Sequence, residues 1–196
     1  TLIKILCGLL QPTEGAVLVD GSPVGPYTKS IISYLPDRMY FADWMKATDL
    51  FDLFADFYAD FDRARAMSMC ASLGVTPSDR LKSMSKGTKE KVQLVLVMAR
   101  KAQLYLLDEP IAGVDPAARD FILSTILTNY NEDGTVLIST HLISDIEKVL
   151  DEAIFLKDGQ IVLHDTADNI RERENKSVDA LFREVFRTHD LEGGAF

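Results

Sequence analysis

The sequence predicts an α/β protein built on a mostly parallel sheet flanked by helices, with a helical segment inserted into it. Three observations lead there. First, patterns alternate along the second half of the chain: an apolar run at 104–107, helical spacing over 116–130, another apolar run at Thr135–Ser139, and helical spacing again over 143–150. Second, the runs Leu104-Tyr105-Leu106-Leu107 and Val136-Leu137-Ile138 are apolar at every position, as expected of strands covered by helices on both faces. Third, residues 38–83 carry helical periodicity without a convincing strand, so they read as an insertion between two parts of the α/β core.

Taken in order, residues 2–10 read as a helix, Gln11-Pro12-Thr13-Glu14-Gly15 as a turn and residues 16–19 as a strand. Phe51, Phe54, Phe57, Tyr58 and Phe61 form the main stripe of the insertion. Aromatics interleaved with charge can stack on bases, but the charges here are Asp49, Asp52, Asp56, Asp60 and Asp62, which repel phosphate. The stripe therefore reads as the packed core of a small helical subdomain. Residues 153–156 and 161–163, separated by Lys157-Asp158-Gly159-Gln160, read as a hairpin closing the sheet edge. Helical spacing through Val178, Leu181, Phe182 and Val185 makes 177–187 a docked terminal helix.

Composition narrows the function. The 196 residues are 47% hydrophobic, enough for a substantial core. A net charge of -9 disfavours a nucleic-acid partner, because displacing counterions from nucleic acid takes clustered Lys and Arg. Cys7 and Cys70 are isolated, without a C-x-x-C pair, so neither a disulfide framework nor a zinc site is expected, and a reducing compartment fits. The apolar stretches fall short of the roughly 20 residues that cross a bilayer, and residues 2–10 lack a basic leader and cleavage site. A first residue Thr1 in place of Met leads to the expectation of a longer natural chain.

The chemistry centres on Leu104-Tyr105-Leu106-Leu107-Asp108-Glu109-Pro110, a buried strand delivering adjacent carboxylates to its carboxyl end, the edge where open α/β sheets bind ligands. In a nucleotide hydrolase the first carboxylate can hold magnesium and the second can polarise the attacking water; the alternative is a solvated acidic strand end. Ser85-Lys86-Gly87-Thr88 precedes an apolar helix. It reads either as an N-capping turn or as a hydroxyl and helix-terminal N–H groups offered to an anion. Gly113-Val114-Asp115-Pro116 opens a helix with Asp115 as an N-cap candidate. His141 follows the strand Thr135–Ser139 at a carboxyl edge, where an imidazole can donate to a phosphate oxygen or simply sit on the surface. His164 and His189 have no such setting.

Together, in this order and spacing, the segments resemble the nucleotide-binding subunit of ABC transporters. Ser85-Lys86-Gly87 is similar to the signature motif, Leu104 to Asp108 to Walker B, Gly113-Val114-Asp115 to the D-loop and Ser139-Thr140-His141 to the switch-histidine segment. Thr1 to Leu10 resemble the helix downstream of the family's P-loop. The resemblance implies a P-loop NTPase-like fold. It implies a first part of the ATPase core at 1–37, a helical signature subdomain at 38–90, the rest of the core at 91–175, and a C-terminal helix and tail at 176–196. It further implies ATP and Mg²⁺ held between two nucleotide-binding subunits, homo- or heterodimeric, arranged head to tail. Asp108 would bind the metal, Glu109 would orient or deprotonate the lytic water, and His141 would contact the γ-phosphate. Ser85, Lys86 and Gly87 would face the nucleotide of the other copy, and Asp115 would couple the two sites. A separate transmembrane permease subunit, which would hold this chain at the cytoplasmic face of the membrane, completes the implied assembly.

The chain departs from the family pattern in places. The G-x-x-G-x-G-K-[ST] loop does not stand in it, so the loop is expected upstream in the parent, and these residues alone are expected to bind ATP weakly or not at all. Asp37, in Ser33-Tyr34-Leu35-Pro36-Asp37, stands where the family usually places a glutamine; a carboxylate is still a hard oxygen ligand, so Asp37 is a metal candidate. Met84-Ser85-Lys86-Gly87-Thr88 departs from the usual L-S-G-G-Q. The acid after Tyr-Leu-Pro, the Ser-Lys-Gly signature and the end Lys176 to Arg187 are similar to bacterial exporters with a separate membrane chain, whose coupling helix Tyr40, Phe41, Trp44 and Met45 could contact if they are not simply packed in the subdomain. A different class of reading is a non-catalytic regulatory or dimerisation partner that lends Ser85 and Asp115 to another subunit.

Overall fold

The computed structural model describes residues 1–187, which divide into two compact units, Thr1–Thr140 and a second that begins at His141. The tail expected after residue 187 lies outside the described residues.

The first unit opens with α1 (Leu2–Leu6). Apolar content alone extends this helix to residue 10, but Gly8 adopts φ +71° and ends it; a Cβ there would lie 2.8 Å from Val24 Cγ1. Left-handed backbone at a helix end favours glycine. A short hairpin follows, β1 (Leu18–Val19) and β2 (Ser22–Pro23). It turns on Asp20 and Gly21, both with positive φ, the requirement of a type I′ turn. Next come α2 (Pro26–Ile31) and β3 (Ile32–Leu35).

The insertion holds α3 (Ala47–Phe57) and α4 (Arg63–Ser72). Leu50 and Phe51 are fully buried, and the rings of Phe54, Tyr58 and Phe61 stack within about 6 Å. Phe57 is 74% exposed, contrary to its place in the expected stripe. At about 100° per residue, position 57 points well away from the face shared by 51, 54 and 58.

Helix α5 (Lys86–Met98) is buried without interruption from Val92 to Met98, the pattern of a helix enclosed on all sides. It leads to β4 (Leu104–Asp108), then α6 (Pro116–Asn129) and β5 (Thr135–Ser139). Strands β3, β4 and β5 form a parallel sheet in that order. Arg100, only 1% exposed, fastens the insertion to this sheet. Its guanidinium donates to both Asp60 carboxylate oxygens (2.9 and 3.1 Å), to Ser30 O (2.5 Å) and to Ile32 O, and it lies 3.7 Å over the Tyr58 ring.

The second unit contains α7 (Ile143–Ile146), a 3₁₀ turn at Glu147–Val149, β6 (Glu152–Lys157), β7 (Gln160–Thr166), α8 (Ala167–Glu174) and α9 (Val178–Val185). The expected hairpin exists, and β6 and β7 form a two-stranded antiparallel sheet of their own. Phe155, Ile170, Val178 and Leu181 share this unit's core. Glu147 accepts the N–H groups of Val178 (2.8 Å) and Asp179 (3.4 Å), placing negative charge at the start of α9 where free amides favour it. Among the described residues, no helix is long and apolar enough to cross a membrane.

Candidate functional site

The parallel register pairs Asp108 with Ser139 at the carboxyl ends of β4 and β5. Ser139 Oγ donates to Asp108 Oδ1 at 2.6 Å, which fixes one carboxylate oxygen and leaves the other for a ligand. Glu109 leaves the strand with φ +52°. Its N–H donates to Ser139 O (3.0 Å) and more weakly to Ser139 Oγ (3.3 Å), and its carbonyl accepts from Ala112 N (3.1 Å). A non-glycine residue held in left-handed backbone costs on the order of 1 kcal/mol or more, and such positions cluster at functional sites. Glu109 is partly buried.

Both acids line a cavity of about 540 Å³ that Asp37, Arg38, Lys86, Lys89, Glu90 and Gln93 also line. The structure thus brings Asp37, Lys86, Asp108 and Glu109 to one cavity. Asp37 is exposed on the loop after β3, with Arg38 Nε 3.8 Å from its Oδ2. Burial first, and then the negative charge of Asp108, push the Cys7 thiol up to about 12. Tyr34 is likewise pushed up to about 12, by burial ahead of Asp108, Cys7, Asp37 and Tyr40. Both groups stay neutral beside the acids at neutral pH.

Ser85 is the N-cap of α5; its Oγ accepts from Thr88 N at 3.1 Å. Lys86 pairs with Glu90 at 3.7 Å. Gly87 is exposed, and a Cβ at that position would meet nothing within 4 Å. Asp115 caps α6 by accepting from Ala118 N at 3.1 Å. Ser85, Gly87 and Asp115 do not line the cavity. His141 is exposed and opens the second unit, two residues beyond the end of β5.

Two residues of this neighbourhood escaped the sequence reading as site members. Ser139 matters through strand register, which composition does not reveal. Gln93, on an otherwise apolar stretch of α5, donates to Pro36 O and Arg38 O; a polar residue inside a buried helical run was the available signal.

The donor set suits magnesium. Among the described residues no group of three or more His, Cys, Asp or Glu side chains could hold a metal, but magnesium keeps several waters and takes one or two carboxylates plus phosphate oxygens. Asp108 and Asp37, hard oxygen donors on one cavity, fit that habit.

Fold and site together define the class: a P-loop NTPase-like α/β core with paired acids at the end of an inner parallel strand. The sequence profile of the ABC transporter family matches residues 1–112, and the chain belongs to that family. It is 27% identical over 170 residues to an ABC transporter ATP-binding protein of Synechocystis, an alignment covering 83% of this chain and 48% of that protein. It is also 27% identical over 175 residues to the ABC transporter ATP-binding protein YtrB of Bacillus subtilis, covering 88% of this chain and 60% of YtrB. A solved structure described as the ATP-binding subunit of an ABC transporter superposes with a TM-score of 0.78 at 26% identity, covering 94% of this chain and 81% of that one. The chain spans about half the length of the curated relatives it matches.

Proposed function

We propose that the protein hydrolyses ATP with Mg²⁺ as one half of a head-to-tail pair of nucleotide-binding subunits, and drives transport, export in direction, through a separate membrane permease. The observation that carries this reading is the Asp108–Glu109 pair: one carboxylate is oriented by Ser139, the other is turned out of the strand by left-handed backbone, and both line a cavity with Asp37.

Magnesium, when bound, neutralises charge on the transferred phosphoryl group. Asp108 and Asp37 offer it oxygen ligands, and Ser139 keeps the Asp108 carboxylate from rotating. Glu109 orients the lytic water and takes its proton. His141 donates to the γ-phosphate. Ser85, Lys86 and Gly87 present a hydroxyl, a cation and the N-terminal amides of α5 to the nucleotide held by the other copy, and Asp115 links the two sites. Gly87 supports the trans role. Glycine costs a helix about 1 kcal/mol relative to alanine, yet a Cβ at Gly87 would meet nothing within 4 Å in its own chain; room for an approaching partner is a reason to keep it.

The same proposal keeps the division into a core at 1–37 and 91–175, a signature subdomain at 38–90 and a C-terminal segment from 176. Exposed Tyr40 and Trp44 offer the permease an apolar docking face, which puts the protein on the cytoplasmic side of the membrane. These residues alone, without a Gly-Lys-[Ser/Thr] loop, bind ATP weakly; calorimetry that returned submicromolar affinity would contradict that.

The test mixes two inactive full-length variants, Ser85→Arg and Glu109→Gln. In a head-to-tail pair, the mixed dimer contains one site with wild-type Glu109 and wild-type Ser85, so turnover reappears on mixing. Mixtures that stay silent, beside an active wild type, would place both residues in a site within one chain. A wild-type protein without turnover, whose addition nonetheless stimulates another subunit, would favour the non-catalytic partner.

A further inference from the structure

We propose that Gln93 is a positioning residue for the Asp37 loop, tying the carboxylate on the metal side of the cavity to the helix that carries Ser85. The inference rests on the ATPase reading above and deepens it.

Gln93 lies on α5, 4% exposed, inside the buried run from Val92 to Met98. A carboxamide in such a place must find partners, because an unsatisfied buried amide costs more than a hydrogen bond returns. Its Nε2 carries two hydrogens, and the acceptors are Pro36 O at 3.3 Å and Arg38 O at 3.4 Å. These carbonyls flank Asp37 in sequence, so one side chain holds the backbone on both sides of the candidate ligand. Asp37 itself is exposed, and its own side-chain contact is the long, solvent-facing pair with Arg38 at 3.8 Å. Its height over the cavity is therefore set by the backbone that Gln93 grips.

A second tie runs in parallel. Lys89, one turn nearer the start of α5, donates to Asp43 Oδ1 at 2.6 Å, beyond the loop on the same segment. The exposed salt bridge is weak alone, but it leads the segment after Asp37 along the face of α5. The start of that helix, at Ser85, is the end offered to the second copy.

Partners that orient a ligand from behind typically set metal affinity by about tenfold to a hundredfold. The test uses the full-length protein with Mn²⁺ as the metal probe and a non-hydrolysable ATP analogue, reading bound Mn²⁺ by electron paramagnetic resonance. Gln93→Met keeps the length and removes both N–H groups; it weakens Mn²⁺ binding by about tenfold or more and speeds amide exchange around Asp37. Gln93→Asn keeps the amide but withdraws it by a methylene, and it moves Mn²⁺ affinity the same way should the methionine variant not fold. Asp37→Asn alone weakens Mn²⁺, and adding Gln93→Met to it costs nothing further. Wild-type Mn²⁺ affinity in both Gln93 variants, or losses that multiply in the double variant, overturns the inference. An Asp37→Asn protein that binds Mn²⁺ normally overturns it while the ATPase reading stands; a wild type that binds no Mn²⁺-nucleotide overturns both.

Discussion

Arg100 offers the most quantitative check on how the insertion is held to the core. In Arg100→Met the aliphatic volume is largely kept while the guanidinium and its hydrogen bonds to Asp60, Ser30 O and Ile32 O are lost. Breaking a buried ion pair from one side costs about 3 to 5 kcal/mol because the remaining charge is stranded. Asp60 keeps a side-chain exposure of 26% and recovers some hydration, which argues for the lower end. The carbonyls of Ser30 and Ile32 each lose a charge-assisted donor, adding roughly 1 kcal/mol apiece. Residual packing by methionine offsets part of this, leaving about 3 to 4 kcal/mol, a large share of the 5 to 15 kcal/mol typical of a domain. Urea denaturation followed by circular dichroism is the assay. With a slope of about 2 kcal/mol per molar, the midpoint falls by about 1.5 to 2 M. Adding Asp60→Leu to Arg100→Met should recover part of the loss, since the stranded carboxylate is then gone. A midpoint within about 0.5 M of wild type for Arg100→Met, or no recovery in the double variant, would refute the reasoning.

Gly87→Ala should leave the isolated subunit as stable as wild type or up to about 1 kcal/mol more stable, whereas Gly87→Ile should abolish turnover without unfolding; loss of thermal stability in either would show that the glycine serves its own chain. Cys7 should resist alkylation at pH 8. With its thiol pushed up to about 12 from an ordinary 9.0, the thiolate is about a thousandfold scarcer than in an exposed cysteine, and rapid iodoacetamide labelling of folded protein would contradict the site geometry. The same shift has a stability sign: a neutral thiol favoured by the fold gives full stability below about pH 9, lost progressively as pH climbs toward 12. Cys7→Ala should lessen that alkaline decline, the raised Tyr34 keeping a share of it; an unchanged decline would assign it elsewhere.

Much of this architecture could be read before the fold was known. Strand β4 is legible because an inner parallel strand needs apolar residues on both faces, and the acids at its end break that run abruptly; β5 has the same apolar pattern but lies at the edge of the three-stranded sheet and is only partly buried. Local backbone chemistry limits what apolar content suggests: Gly8 ends α1, and Asp20-Gly21 turns the short hairpin. Phe57 is aromatic like the rest of the stripe, but its angular position turns it to solvent. Other features depend on long-range geometry that no periodicity encodes. Ser139 meets Asp108 only through strand register, and Gln93 meets the Asp37 loop from more than fifty positions away in sequence. Ser85 and Asp115 turn out to be the N-caps that a plain reading of their segments allows.

The most direct measurement is ATP turnover by full-length Glu109→Gln beside wild type. Glutamine keeps the size and the turn but cannot take a proton from water. Loss of a general base predicts a fall of about a hundredfold to ten-thousandfold with nucleotide binding retained, and ATP-bound pairs should accumulate. Turnover that survives the substitution would remove Glu109 from the chemistry and with it the central claim.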